Sequence, residues 1–299
     1  MNAANWADSY RYLHHIYIGK NVAHQNRQAA FGIKQASDVI LSQNTAYDFR
    51  GNGAANAGSC FGYQYDKHNL WIIYNTCYNS VYGIRQSDTG SGVAGNDVYI
   101  VGNVIYDIHP LSSNADYDPG NPWHQGTAIA LWHGVLDRYV VDNTIYDVHD
   151  GINAIYAGFV DISGNLISQK DDHPENHFFD LSLIAHDAGA VQMDRNLFFD
   201  DATESYYIEA NGADRVADLA ALRAETGLCT HCVFANPKLV DVSQANFALS
   251  EGAPALGSNV RHAVYDTFQS LYGLDIFVDH AGNPRPSQPA IGAFELPSH

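Results

Sequence analysis

The sequence predicts an all-β fold, a right-handed parallel β-helix closed by a short C-terminal helix and an extended cap. Three observations carry this. First, an asparagine ends a short apolar-alternating run seven times: IYIGKN, VILSQN, LWIIYN, VYIVGN, RYVVDN, VDISGN and VQMDRN, at Asn21, Asn44, Asn75, Asn103, Asn143, Asn165 and Asn196. Second, the gaps between them are 23, 31, 28, 40, 22 and 31 residues, so a short base period recurs with loops added. A fixed period of this size marks stacked repeats, not one central globular core. Third, a glycine-bearing strand recurs as FGIK, FGYQ, YGIR and DGIN, around Gly32, Gly62, Gly83 and Gly151.

The elements follow in order within each repeat. The run before the asparagine alternates, as in Val39 and Leu41 or Val98 and Ile100, which is the period of a half-buried strand. Two residues past each asparagine the side chain is apolar: Ala23, Ala46, Cys77, Ile105, Ile145, Ile167 and Phe198. Cys77 therefore reads as a small core residue. The glycine of the third strand is expected at a tight bend with positive φ. Three short strands without room for a crossover helix make one coil of a parallel β-helix. The asparagines then stack at one bend, where each amide bonds the coils above and below. They read as scaffold, without chemistry of their own.

The repeat is expected to span residues 1–201. Residues 202–299 are expected to form a helix and tail that cap the stack. Within 214–226 (DRVADLAALRAET), Val216, Leu219, Ala220 and Leu222 share a helical stripe, and Gly227 is a C-terminal stop. The first repeat begins within a dozen residues of Met1, so the open N-terminal end needs a cover. Either earlier coils and a leader precede this chain, or a second copy covers the end, giving a homo-oligomer.

Composition narrows the function classes. The formal net charge of −18 disfavours nucleic acid and anionic membrane surfaces as partners. No run of about twenty apolar residues exists to span a membrane, and no signal peptide is visible. Cys229 and Cys232 lie in CTHC, too few ligands for a zinc site, and read as a local disulfide or two free thiols.

The tail adds motifs: Asn236 with Pro237, LVD at 239–241, NFAL at 246–249, GAPA at 252–255, GNPRP at 282–286 and IGAFE at 291–295. With the asparagine repeats, they make the chain resemble secreted right-handed parallel β-helix proteins of the polysaccharide lyase and hydrolase type. The resemblance implies a secreted or cell-surface carbohydrate-active protein, with a polysaccharide lying in a groove on one outer strand face. No catalytic signature of a named family is matched.

The insertions 50–60, 109–125 and 170–177 rise beside the glycine-bearing strand, which makes its outer face the candidate groove. The outward column expected there is Lys34, Gln64, Arg85 and Asn153, with Ala130, Trp132 or His133 aligned in the repeat TAIALWHG. β-Elimination of a uronate polymer needs a base at C5, a cation on the carboxylate and an acid at the leaving oxygen. Lys34, Arg85, His133 and the loop histidines His109 and His124 supply these types, and Gln64, Trp132, Asn153 and Trp123 would hold sugar. Alternatively these are ordinary solvated residues and the chain is a non-catalytic glycan-binding solenoid. A second column, Tyr47, Tyr78, Tyr106 and Tyr146, reads as packing or as a sugar platform. The adjacent Asp107, Asp147 and Asp150 would serve a glycoside hydrolase or cap turns. No metal site is assigned. Asp116, Asp118, Asp171 and Asp172 would accommodate Ca2+ only without the fixed spacing of a calcium loop.

Overall fold

The computed structural model describes residues 13–50, 58–64, 68–86, 97–111, 125–134, 137–169, 181–184, 190–200, 208–210 and 219–296. Short strands dominate, and they pass in rotation through three parallel sheets. The first sheet holds His14–Gly19, Ser37–Ser42, His68–Ile73, Asp97–Val101, Asp137–Val141, Val160–Ser163 and Val191–Asp194. The second begins with Val22–His24, Thr45–Tyr47 and Thr76–Ser80, and ends with Leu197–Asp200 and Val233–Phe234. The third holds Ala29–Lys34, Ser59–Gln64, Tyr82–Gln86, Thr127–Gly134, Asp150–Ala157, Leu181–Ile184 and Ile208–Ala210. Val233–Phe234 and Ile208–Ala210 lie past residue 201, so the sheets extend beyond the expected boundary.

Register builds the core column by column. In the first sheet Leu41, Ile72, Ile100, Val140, Ile162 and Met193 stack inward. In the second, Ala46, Cys77, Ile105, Ile145, Ile167 and Phe198 do the same. These side chains form one buried cluster. Cys77 is inward as expected, but it is bonded to Cys60 and is not a free core thiol. Cys229 is bonded to Cys232, the first of the two alternatives for CTHC.

The asparagines form a continuous ladder. Each backbone N–H and side-chain amide donates to the next asparagine's Oδ1, from Asn21 through Asn44, Asn75, Asn103, Asn143 and Asn165 to Asn196, at 2.9–3.1 Å. Each amide also reaches back to a carbonyl, as Asn103 Nδ2 does to Ile72 at 2.8 Å. The buried polar groups at this bend are thus satisfied by one another.

The expected positive φ of the recurrent glycines does not occur. Gly32, Gly62 and Gly83 lie within strands and none is in the left-handed region. Left-handed positions lie elsewhere, among them Gly58, Gly102, Gly126 and Gly164 and the non-glycine residues Asp48, Asn79, Asp107 and Asp147, the last four with φ of 61°, 45°, 54° and 52°. Asp and Asn tolerate this conformation because their short polar groups bond locally.

Helix α1 (Leu219–Thr226) buries Leu222 against the main core, and Gly227 follows it in the left-handed region at φ 71°. The helical stripe upstream, including Val216, falls outside the described residues. The rest of the tail is not an end cap. It runs along the outer faces of the first and second sheets. A second helix, α2 (Ala263–Tyr272), absent from the sequence expectation, packs Val264, Tyr265 and Phe268 on Trp71, Tyr99 and Val141. Around it, buried Asp142 accepts from Tyr265 Oη at 2.5 Å and Asn259 Nδ2 at 2.7 Å. Burial raises the Asp142 pKa, and the nearby Arg285 opposes this. Phe247 covers Tyr106 and Tyr146 on the second sheet.

His280 also ties the tail down. Its Nδ1 faces the Gly102 carbonyl at 2.9 Å, so this nitrogen carries the proton, and its Nε2 accepts from Thr76 Oγ1 at 3.1 Å. Burial lowers its pKa, partly offset by the Gly102 bond. The unfolded chain therefore binds this proton more readily than the fold does. The stability it contributes is complete above about pH 6.5 and is lost as pH falls from there towards the folded value. We expect the protection of tail amides, measured against the intrinsic exchange rate at each pH, to fall on acidification through this window, and less so in His280→Gln.

Candidate functional site

The register of the third sheet assembles the site. Gly32 pairs with Gly62, and Lys34 with Gln64. Gly62 then pairs with Arg85, and Arg85 with Ala130, which pairs with Asn153. FGYQ and YGIR are thus offset by two residues. The expected single column Lys34, Gln64, Arg85 and Asn153 is two columns. One runs through Gly32, Gly62, Arg85, Ala130 and Asn153. Lys34 and Gln64 belong to the neighbouring one. The ambiguity in TAIALWHG resolves to Ala130 beside Arg85.

The offset opens a cavity of about 220 Å³ on the outer face, lined by Gln28, Gly32, Lys34, Gly62, Gln64 and Arg85, with Ala29, Ile33 and Ser59. Its floor is made by the two glycines. A Cβ added at Gly32 would meet nothing within 4 Å, and at Gly62 only two carbonyl oxygens at 3.8 and 4.0 Å. Neither crowding nor backbone angle demands glycine here, although glycine weakens a strand interior. Gly83 is different: its Cβ would lie 2.3 Å from the Ala128 carbonyl oxygen. The same residue type therefore keeps space open at two positions and permits strand packing at the third.

Arg85 forms one wall. Its guanidinium carbon sits 4.2 Å from the Tyr82 ring centroid and 4.6 Å from that of Trp132. The two rings meet edge to face at 6.3 Å. These ring faces hold the cation in place. Among the described residues the lining holds two cations, two primary amides and a hydroxyl, and no carboxylate. In a chain of net charge −18 this is a local inversion of sign.

A third cation lies behind the sheet. Arg138 stands in an inward column otherwise occupied by Val39, Leu70, Val98, Val160 and Val191. It is fully buried and donates to Gln86 Oε1 through Nε at 3.1 Å and Nη2 at 2.6 Å. Tyr63 Oη donates to the same oxygen at 3.4 Å, and burial raises its pKa against the pull of Arg138. Gln86 adjoins Arg85 and Tyr63 adjoins Gln64 in sequence. The alternation in DRYVV points Arg138 inward, and that pattern was the legible but unread signal.

The other expected site residues fall elsewhere. His133 lies in the strand Thr127–Gly134. Its side chain falls outside the described residues, as do His124, Trp123, Asp116, Asp118, Asp171 and Asp172. His109 does not line the cavity: its Nε2 is 3.4 Å from Asp107 Oδ1 and 3.5 Å from Asp147 Oδ1. Both aspartates occupy left-handed turn positions. Asp150 is buried and accepts from Thr127 Oγ1 at 3.5 Å. Trp132 flanks Arg85, and Asn153 is buried two strands beyond it. Among the described residues no group of three or more His, Cys, Asp or Glu side chains could hold a metal ion.

The tyrosine column is a stacked ladder. His24, Tyr47, Tyr78 and Tyr106 have successive centroids 4.8, 4.8 and 4.9 Å apart and planes within 6–9°. Ring faces engaged with one another are not available to stack on sugars, so this column packs the scaffold.

No protein-family model matches the chain, and no curated protein matches it. Among the described residues no helix is long and apolar enough to cross a membrane.

Proposed function

We propose that this chain is a right-handed parallel β-helix of the carbohydrate-active type, exported from the cell, and that it cleaves a uronate-containing polysaccharide by β-elimination. The observation that carries the reading is the cavity whose described lining joins Lys34 and Arg85 with two primary amides. Buried disulfides support an oxidising location.

The chemistry follows from these groups. The sugar carboxylate pairs with the Arg85 guanidinium, a planar fork suited to it. Neutralising the carboxylate acidifies the proton on C5. Lys34 is the base that takes that proton. The electron pair forms the C4=C5 double bond as the C4–O4 bond breaks. The leaving oxygen takes a proton from an acid, for which His133 or the loop histidine His124 is the expected candidate. Atoms and electrons balance without an oxidant or cofactor. Self-association through the first repeat, where Tyr17 and Val22 are exposed, belongs to the same reading.

The test is ultraviolet absorbance of the unsaturated product on alginate, pectate, chondroitin and dermatan, with and without calcium. Activity on at least one is expected. Lys34→Ala and Arg85→Ala should each lower kcat/KM by about a hundredfold or more. Absence of unsaturated product across the panel would sink the lyase reading. Turnover undiminished in both variants would sink the assignment of the cavity.

A further inference from the structure

We infer that Arg138 is a positioning residue for the cavity. Through Gln86 and Tyr63 it holds the strands Ser59–Gln64 and Tyr82–Gln86 in the offset register that creates the cavity. The inference rests on the reading of the cavity as a uronate site.

Register carries it. The offset sets Gly62 against Arg85 and Tyr63 against Gln86. A register shifted by two would set Gly62 against Gly83, Tyr63 against Ile84 and Gln64 against Arg85. Side-chain parity survives that shift, so the apolar pattern accepts either pairing. The cavity does not, because Arg85 would leave the column of the glycine floor. A buried polar contact can select a register where apolar contacts cannot. Here Tyr63 Oη donates to Gln86 Oε1 at 3.4 Å, and Arg138 donates to the same oxygen from Nε at 3.1 Å and from Nη2 at 2.6 Å. The shared acceptor requires Tyr63 beside Gln86, as the offset places them.

Packing does not call for a cation at this position. In the same inward column Val39, Leu70, Val98, Val160 and Val191 fill the space. Taking a guanidinium out of water is costly, and an apolar side chain would serve the core better. Arg138 pairs in register with Val98, whose strand is the next after Gln86 in the chain. From there its side chain reaches the inner face of the two strands whose outer face carries Gly62, Gln64 and Arg85. The arginine thus acts on the site through Gln86 and Tyr63, from the opposite side of the sheet.

The experiment compares the full chain with Arg138→Met, which fills the core position without a donor. Calorimetry with tetramers of galacturonate, of mannuronate and of chondroitin is run at a temperature where melting curves show both proteins folded. Hydrogen exchange reports the strands without any ligand. The register lock predicts uronate affinity at least tenfold weaker. It also predicts amide protection lost in 59–64 and 82–86 and kept in 160–169. Folded Arg138→Met that binds as tightly as the parent would make Arg138 a packing residue, overturning the inference and leaving the uronate reading standing. Protection lost in those two strands, with no uronate bound even by the parent, would support the lock and remove the uronate reading. Protection kept, with no uronate bound, would overturn both. Should Arg138→Met fail to fold, the triple variant Arg138→Met, Gln86→Leu, Tyr63→Phe replaces the contact by apolar groups together and is judged by the same outcomes.

Discussion

Replacing Asn103 by alanine is expected to destabilise the protein by about 4 kcal/mol. Asn103 sits in the middle of the asparagine ladder and is buried. Its Oδ1 accepts from the Asn75 backbone N–H and from Asn75 Nδ2, at 2.9 and 3.0 Å. Its own Nδ2 donates to the Ile72 carbonyl and to Asn143 Oδ1. Alanine leaves the two Asn75 donors and the Ile72 acceptor without these partners at a buried bend. Each such group costs about 1–3 kcal/mol. Asn143 Oδ1 is spared, because the Asn103 backbone N–H still reaches it at 2.9 Å. A shift in the urea midpoint of Asn103→Ala no greater than that of Asn21→Ala, at the exposed end of the ladder, would refute the ladder as a main source of stability.

Two glycine substitutions should have opposite consequences. Gly83→Val is expected to cost about 3 kcal/mol or more, since its Cβ would press on the Ala128 carbonyl and on Ile105 Cγ2 at 2.8 Å. The backbone of the next strand has to move. Gly62→Val meets only ordinary contacts and places a β-branched residue in a strand, so stability should stay within about 1 kcal/mol. It also fills the cavity floor between Lys34 and Arg85. Uronate affinity should fall at least tenfold, equivalent to about 1.4 kcal/mol. Thermal melting and calorimetry on both variants separate the two roles. A destabilised Gly62→Val, or one that binds normally, would deny that this glycine exists to keep space open.

Much of the architecture was legible because stacking repeats the same physical demand at every level. An asparagine recurs wherever buried backbone groups need partners, and apolar residues recur two positions later because that position always faces inward. The site was legible only in part. Lys34, Gln64 and Arg85 were readable as outward residues of recurrent glycine strands. Their grouping was not, because aligning glycine with glycine misses the two-residue offset that pairs Gly62 with Arg85. Side-chain parity survives a shift of two, so no hydrophobic pattern betrays it. Helix α2 escaped notice for a related reason. Its apolar stripe of Val264, Tyr265 and Phe268 is short, and its binding partners, Trp71 and Tyr99, lie more than 160 residues earlier.

The sequence by itself determined the predominance of parallel strands, the inward columns and the asparagine ladder. Period and alternation are local properties, and each repeat restates them. Tertiary structure decided the cysteine partners, the course of the tail along two sheets, the burial of Arg138 and the walls of the cavity. These depend on which strand meets which, at what register. Backbone pairing alone leaves that open, and contacts between residues far apart in the chain settle it.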